Sequence, residues 1–180
     1  GIARNIESGR LKAFAVSTTS YTTGQTITWV QGRNIQMWER PNRRSAPGPV
    51  TVAHIMASSA LPFFFPAIEI DGRWYGDGGI RMLAPFSPAV HLGAGRIFAI
   101  STRYIRSMSE AEESIALGYG YPPPAQVLGV LMNSMFLDFF DHDALQLERL
   151  NALILRIPQL QRGELRPVDL FMTRPSANLG

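Results

Sequence analysis

The sequence predicts an α/β fold: a mostly parallel sheet with hairpins at its margin and helices on both faces, followed by a helical segment and a terminal strand. Three observations carry this. Ile68-Glu69-Ile70, Asp71-Gly72 and Arg73-Trp74-Tyr75 read as a two-residue hairpin with a type I′ turn. Ser87-Pro88 supplies an N-cap with proline at N1 and Gly93 a stop, so SPAVHLG reads as a short helix, and RIFAIS after it as a continuous apolar strand. A hairpin, a crossover helix and a buried strand in that order suit the edge of a parallel sheet covered by helices. Finally, Val127, Leu128, Leu131, Met135, Phe136, Phe139, Phe140, Leu145, Leu147, Leu150 and Leu153 recur at helical spacing. That predicts one long helix or two consecutive ones before a last strand, VDLFMT.

The remaining elements follow in order. LKAFAVSTT (11–19) reads as a buried strand, and Thr23-Gly24 links it to TITWV, whose β-branched and aromatic residues suit a hairpin partner. Ile35 to Trp38 suits a short strand. ERPNRRSAPGPV, with three prolines, reads as an exposed loop; its Arg40, Arg43 and Arg44 suit either bidentate contact with lipid phosphates or simple solvation. Thr51 is placed to cap a helix through VAHIMASSAL, with Val52, Ile55, Met56 and Ser59 on one face and Pro62 ending it. The three phenylalanines that follow suit core or the wall of an acyl-chain pocket. SEAE from Ser109 permits a capped helix, Gly118 to Pro124 a break, and the closing RPSANLG a turn. There is no internal repeat.

Composition narrows the function classes. With 180 residues and 46% hydrophobic content the chain has the length and apolar share of one globular domain. A net charge of +3, from 16 arginines and the single Lys12 against 14 acidic residues, is too mild for a nucleic-acid footprint. The pI near 9.7 suits weak attraction to anionic surfaces, phospholipid head groups included, as well as a merely solvated surface. The lack of cysteine excludes disulfides, thiolate metal sites and cysteine nucleophiles. The apolar run 125–140 contains Asn133 and Asp138 and is too short to span a bilayer, so it reads as a buried helix. The opening GIARNIESGRLKAF has no signal-peptide core.

The chemistry concentrates in residues 58–79, SSALPFFFPAIEIDGRWYGDGG. Asp71 belongs to the hairpin turn. Asp77 sits past the returning strand, and the glycines after it let other groups approach closely. SSALPFFFP and GRWYGDGGIRMLAPFSPAVHLGAGRIFAIS resemble the second half of a patatin-like phospholipase. The opening hairpin, FLDFFDHDALQLERLN and RPSANLG are similar to bacterial members, so the resemblance covers nearly the whole chain. It implies part of a three-layer α/β/α domain, with residues 1–105 as the C-terminal half of the catalytic domain and 106–180 as a helical extension and final strand packing on it. It implies that Asp77, in the motif with Gly78 and Gly79, is the base of a Ser-Asp dyad, and that Leu61, Phe63, Phe64 and Phe65 lie near the catalytic centre as acyl-pocket walls.

No Gly-x-Ser-x-Gly and no glycine-rich oxyanion loop occurs in these residues. The resemblance therefore places the nucleophile in a preceding half of the same domain and predicts no activity from these residues alone. The expected function is a lipid acyl hydrolase cleaving fatty-acyl esters of phospholipids or acylglycerols. It is expected to need no cofactor and no metal, to bind no nucleic acid, and to be cytoplasmic or in peripheral membrane contact. The alternative is a non-catalytic lipid-binding or interaction module with the same fold.

Other chemistries are weaker. His54, His91 and His142 stand in no recognisable catalytic context, and the dyad that the resemblance implies needs no histidine. Glu69 with Asp71 or Asp77 would make a glycosidase-like carboxylate pair across the hairpin. Asp138, Asp141 and His142 fall on one helix face at a spacing that suits either a divalent metal or a salt-bridged surface. Ser17, Ser20, Ser58 and Ser59 occupy no glycine-flanked strand-to-helix elbow. If the central strands belong to the preceding half, these residues expose strand edges and an apolar face.

Overall fold

The computed structural model describes residues 1–102, 104, 107–110, 112 and 120–177, without the side chains of 135–138 and 160. The chain folds as α/β, in two compact units, Gly1–Ala94 and Gly95–Gly180. Part of the helix expected from Ser109, and Gly118 and Tyr119 of the break after it, lie outside the described residues. Among those described, no helix is long and apolar enough to cross a membrane.

The first unit contains α1 (Ile2–Glu7), β1 (Ala13–Ser20), β2 (Thr26–Gly32), β3 (Glu39–Arg40), β4 (Arg43–Pro47), α2 (Val52–Ser58), β5 (Ile68–Ile70), β6 (Arg73–Asp77), a 3-10 turn (Gly78–Arg81) and α3 (Ser87–His91). Its six strands lie in the order β3-β4-β2-β1-β6-β5. Only β2 and β4 pair in parallel; the other four pairings are antiparallel. The expectation of a mostly parallel sheet is corrected here. The β1–β2 and β5–β6 hairpins form as expected; the difference is that β1 also pairs antiparallel with β6, and β3 with β4, so antiparallel pairs make up most of this sheet.

Three local expectations also change. The segment expected as a loop around Arg40 and Arg43 is a hairpin: Arg40 faces Arg43 across Pro41 and Asn42, and Asn42 takes the left-handed conformation (φ 62°) that such a tight turn requires. Ile35 to Trp38 is not a strand, because pairing begins only at Glu39. Ser87 is the first residue of α3, and the buried Phe86 rather than Ser87 occupies the cap position. The β5–β6 hairpin forms as expected, with Asp71 (φ 50°) and Gly72 (φ 71°) both left-handed, as a type I′ turn demands.

One face of this sheet packs under α2. Ile27, Ala57, Ile70 and Tyr75 form the cluster, with Trp29, Ala46, Ala53 and Ile68 against it. Small residues at 53 and 57 let the helix approach. The face carrying Val52, Ile55, Met56 and Ser59 is thus turned outward, and Val52 is 73% exposed. Beneath α2 the Trp29 ring meets His54 edge-on at 4.5 Å and Tyr75 at 5.5 Å, and the Trp29 Nε1–H donates to Thr18 Oγ1 (2.9 Å). Thr51 opens α2, but its partner three residues on is His54: the Thr51 N–H (3.1 Å) and hydroxyl (2.8 Å) both reach Nδ1. A nitrogen that accepts from an amide carries no proton, so His54 fills the place usually held by Glu or Gln in a capping box as a neutral ring.

The second unit contains β7 (Arg96–Ile100), α4 (Pro124–Arg156), a 3-10 turn (Gln159–Gln161) and β8 (Asp169–Thr173). The expected one or two helices are a single one, about 50 Å long. It bridges β7 and β8, which pair in parallel from Arg96↔Asp169 to Ile100↔Thr173. Asn151 locks the entry to β8: its amide donates to the Val168 carbonyl (2.8 Å) and its oxygen accepts from the Val168 N–H (2.9 Å).

Burial pushes the His54 pKa below its ordinary 6.5, against a smaller upward pull from Asp71. A histidine whose folded pKa is depressed contributes stability that is present above 6.5 and lost as pH falls toward the folded value. Urea unfolding between about pH 8 and about pH 5 should therefore show stability falling on the acid side. His54→Gln, which keeps a capping-box acceptor, should flatten that dependence; an unchanged slope would contradict the assignment.

Candidate functional site

Asp77 ends β6 and begins the following 3-10 turn, and its backbone is held from two sides. Its N–H donates to the Ala60 carbonyl (3.0 Å), and its own carbonyl accepts from the Thr19 hydroxyl (2.9 Å). Its register partner on β1 is Thr18, which is fully buried. Alternation along the strands puts Asp77 on the face shared by Tyr75, Thr18 and Trp29, the face that α2 covers.

The two glycines after Asp77 have separate reasons. A Cβ on Gly78 would overlap the Ser17 carbonyl oxygen and lie 2.7 Å from its carbon, so only glycine lets the chain leave β6 this close to β1. Gly79 donates its N–H to Asp77 Oδ1 at 2.6 Å. Neither has a positive φ, so the motif serves close approach and amide donation rather than a left-handed turn.

The carboxylate is half-buried. Burial pushes its pKa above 3.8, and the Gly79 amide only partly offsets this. One oxygen is tied to that amide, and the other has no partner among the described residues. The arrangement is a carboxylate of raised basicity with one acceptor free.

The Ala60 contact anchors the segment after α2 beside this carboxylate. Leu61 is partly buried, and its carbonyl accepts from the Phe64 (3.3 Å) and Phe65 (3.0 Å) amides in a turn that holds Phe63 at φ 69°. Phe63, Phe64 and Phe65 are exposed, Phe63 at 90%. All three belong to the first unit. A cavity of about 320 Å³ there, lined by Gly9, Leu11, Lys12, Arg33 and Asn34, includes none of the expected site residues.

No serine hydroxyl among the described residues reaches Asp77. Ser17 pairs with Thr28 Oγ1 (3.0 Å), Ser20 Oγ accepts from the Thr23 N–H, and Ser59 donates to the Ile55 carbonyl. Neither His54 nor His91 bonds a carboxylate: His54 is engaged by Thr51, and His91 stacks on Trp38. The register sets Glu69, opposite Trp74, on the other face from Asp77, so the carboxylate pair does not form. Asp141 forms an ion pair with Arg174, and His142 faces Gln146; the Asp138 side chain lies outside the described residues. Among the described residues no group of three histidines or carboxylates gathers to hold a metal. Thr18, Thr19 and Ala60 position Asp77 and are not apparent in the sequence, because the first two reach it through strand register and Ala60 through the placement of the end of α2.

A search of curated proteins returned no match. Residues 12–90, the span from β1 through most of α3 that holds Asp77 and every group bonded to it, match the family model described as patatin-like phospholipase. Over those residues the chain is similar to patatin-like phospholipases.

Proposed function

We propose that this chain contributes the general base of a lipid acyl hydrolase acting on fatty-acyl esters of phospholipids or acylglycerols. The observation that carries the reading is the Asp77 carboxylate, half-buried and raised in pKa, with Oδ1 fixed by Gly79 and its second oxygen free. In this reading a serine from outside these 180 residues donates its proton to the free oxygen while its Oγ attacks the ester carbonyl. As the tetrahedral intermediate collapses to the acyl-serine, Asp77 gives that proton to the departing alcohol; it then takes a proton from the attacking water and returns it to the serine Oγ as the fatty acid leaves. Gly78 and Gly79 position the base. Leu61 and Phe63 to Phe65, tethered through Ala60, supply apolar surface for the acyl chain. The exposed Val52, Ile55, Met56 and Phe63 suit peripheral contact with lipid.

Asp77→Asn in the intact protein keeps the Gly79 contact and removes the base. Ester turnover should fall by at least about 100-fold in kcat. For the wild type, kcat/KM should rise with pH through an acid-side midpoint above 3.8, since the ionised form is the base. A raised folded pKa means that the charged carboxylate costs stability at neutral pH, so Asp77→Asn should melt higher than wild type. Near-wild-type turnover in that variant would refute the role. The 180 residues alone should turn over no p-nitrophenyl ester.

Gly78→Ala should cost about 1–3 kcal/mol in urea unfolding through overlap with β1, and lower kcat by displacing Asp77. Gly95→Ala, where a Cβ meets nothing within 4 Å, is the matched control and should be near neutral.

A further inference from the structure

On the opposite face of the six-stranded sheet, and at its other edge, a second arrangement has no part in this chemistry. Arg40 and Arg43 are directly paired across the β3–β4 hairpin. Like charges opposed on a sheet repel, and neither is in an ion pair with a carboxylate among the described residues; Arg40 reaches only the Glu39 carbonyl (2.9 Å). The adjacent carboxylate, Glu39, is opposite Arg44, and alternation places that pair on the α2 side. Trp38 is fixed one step further along: its N–H donates to Ser45 Oγ (2.7 Å) and its carbonyl accepts from the Ser45 N–H (2.9 Å). His91 of α3 stacks flat on the Trp38 ring, with centroids 4.8 Å apart and planes at 15°. Burial lowers the His91 pKa, and Arg40 and then Arg43 lower it further.

Two guanidiniums beside a rigid ring pair leave a concentration of positive charge that no carboxylate among the described residues pairs with. We propose that Arg40 and Arg43 form an anion site that takes a phosphate group between their guanidinium forks, with the Trp38–His91 stack as its wall. Guanidinium presents paired donors matched to phosphate oxygens, and a bound phosphate removes the repulsion across the hairpin. The site lies three strand spacings from Asp77, about 14 Å, and on the other face, so it stands independently of the role given to Asp77.

His91 reports on occupancy, because an anion beside Arg40 and Arg43 reverses the field that disfavours its protonated form. The titration of the His91 ring is followed by NMR in the intact protein, with inorganic phosphate against chloride at equal ionic strength. Phosphate should move the His91 midpoint up by about one pH unit, and Arg40→Gln/Arg43→Gln should abolish that response. The double variant relieves like-charge repulsion and should keep the wild-type circular dichroism. No response to phosphate, or an equal response in the double variant, overturns the proposal. Co-sedimentation with phosphatidic acid vesicles then separates two sources of the phosphate. Binding by wild type but not by the double variant identifies a lipid head group, and equal binding by both, with the phosphate response intact, identifies a soluble phosphate compound.

Discussion

A side chain at position 78 would overlap the Ser17 carbonyl, so β6 can run against β1 and turn away immediately only with glycine there. That close approach fixes much else in the first unit. It holds Asp77 opposite Thr18 on the face under α2, and it leaves the Gly79 amide aimed at Asp77 Oδ1. It also keeps the Asp77 N–H within reach of the Ala60 carbonyl, joining the end of α2 to the end of the strand. One absent Cβ thus links a strand pair, a helix terminus and a carboxylate.

The helix that borders this carboxylate is built inside out relative to a simple amphipathic reading. Ala53 and Ala57 face the sheet because the aromatic rings of Trp29 and Tyr75 already fill the volume there, and only small residues let the helix approach. Its larger apolar residues turn outward, continuing the exposed apolar character of the Phe63–Phe65 turn. His54 is the exception among polar groups: it is buried because Thr51 satisfies Nδ1 and Trp29 packs on the ring. Burying a neutral imidazole with its acceptor filled costs far less than burying a charged one.

Much of this was legible from local patterns. The type I′ hairpin needed only Asp71-Gly72 between alternating residues, β8 only its apolar run, and α4 its periodicity, because each depends on contacts within a few positions. The Asp-Gly-Gly motif stood out for the same reason. What could not be read were pairings between distant segments. Thr19 and Ala60 support Asp77 through register and helix placement, and nothing in their neighbours marks them. The outward turn of the Val52–Ser59 face of α2 was not legible, because hydrophobic spacing indicates a stripe without saying which side is covered. The antiparallel pairing of β1 with β6 was not legible, because it joins Thr18 to Asp77 through register rather than through a local turn. The Pro41-Asn42 hairpin was hidden by prolines that usually mark loops.

Electrostatics divide the two faces of the sheet. Both histidines of the first unit have pKa values lowered mainly by burial, and His91 is lowered further by two guanidiniums. Neither is therefore a ready proton carrier on its face. His54 has its acceptor nitrogen occupied by Thr51, so even the neutral ring offers no free base under α2. On that face Asp77 is the group whose affinity for a proton is raised and whose free oxygen can receive one. A carboxylate can serve as base without a histidine only under such conditions, when burial strengthens it and a single backbone amide orients it without fully neutralising the gain.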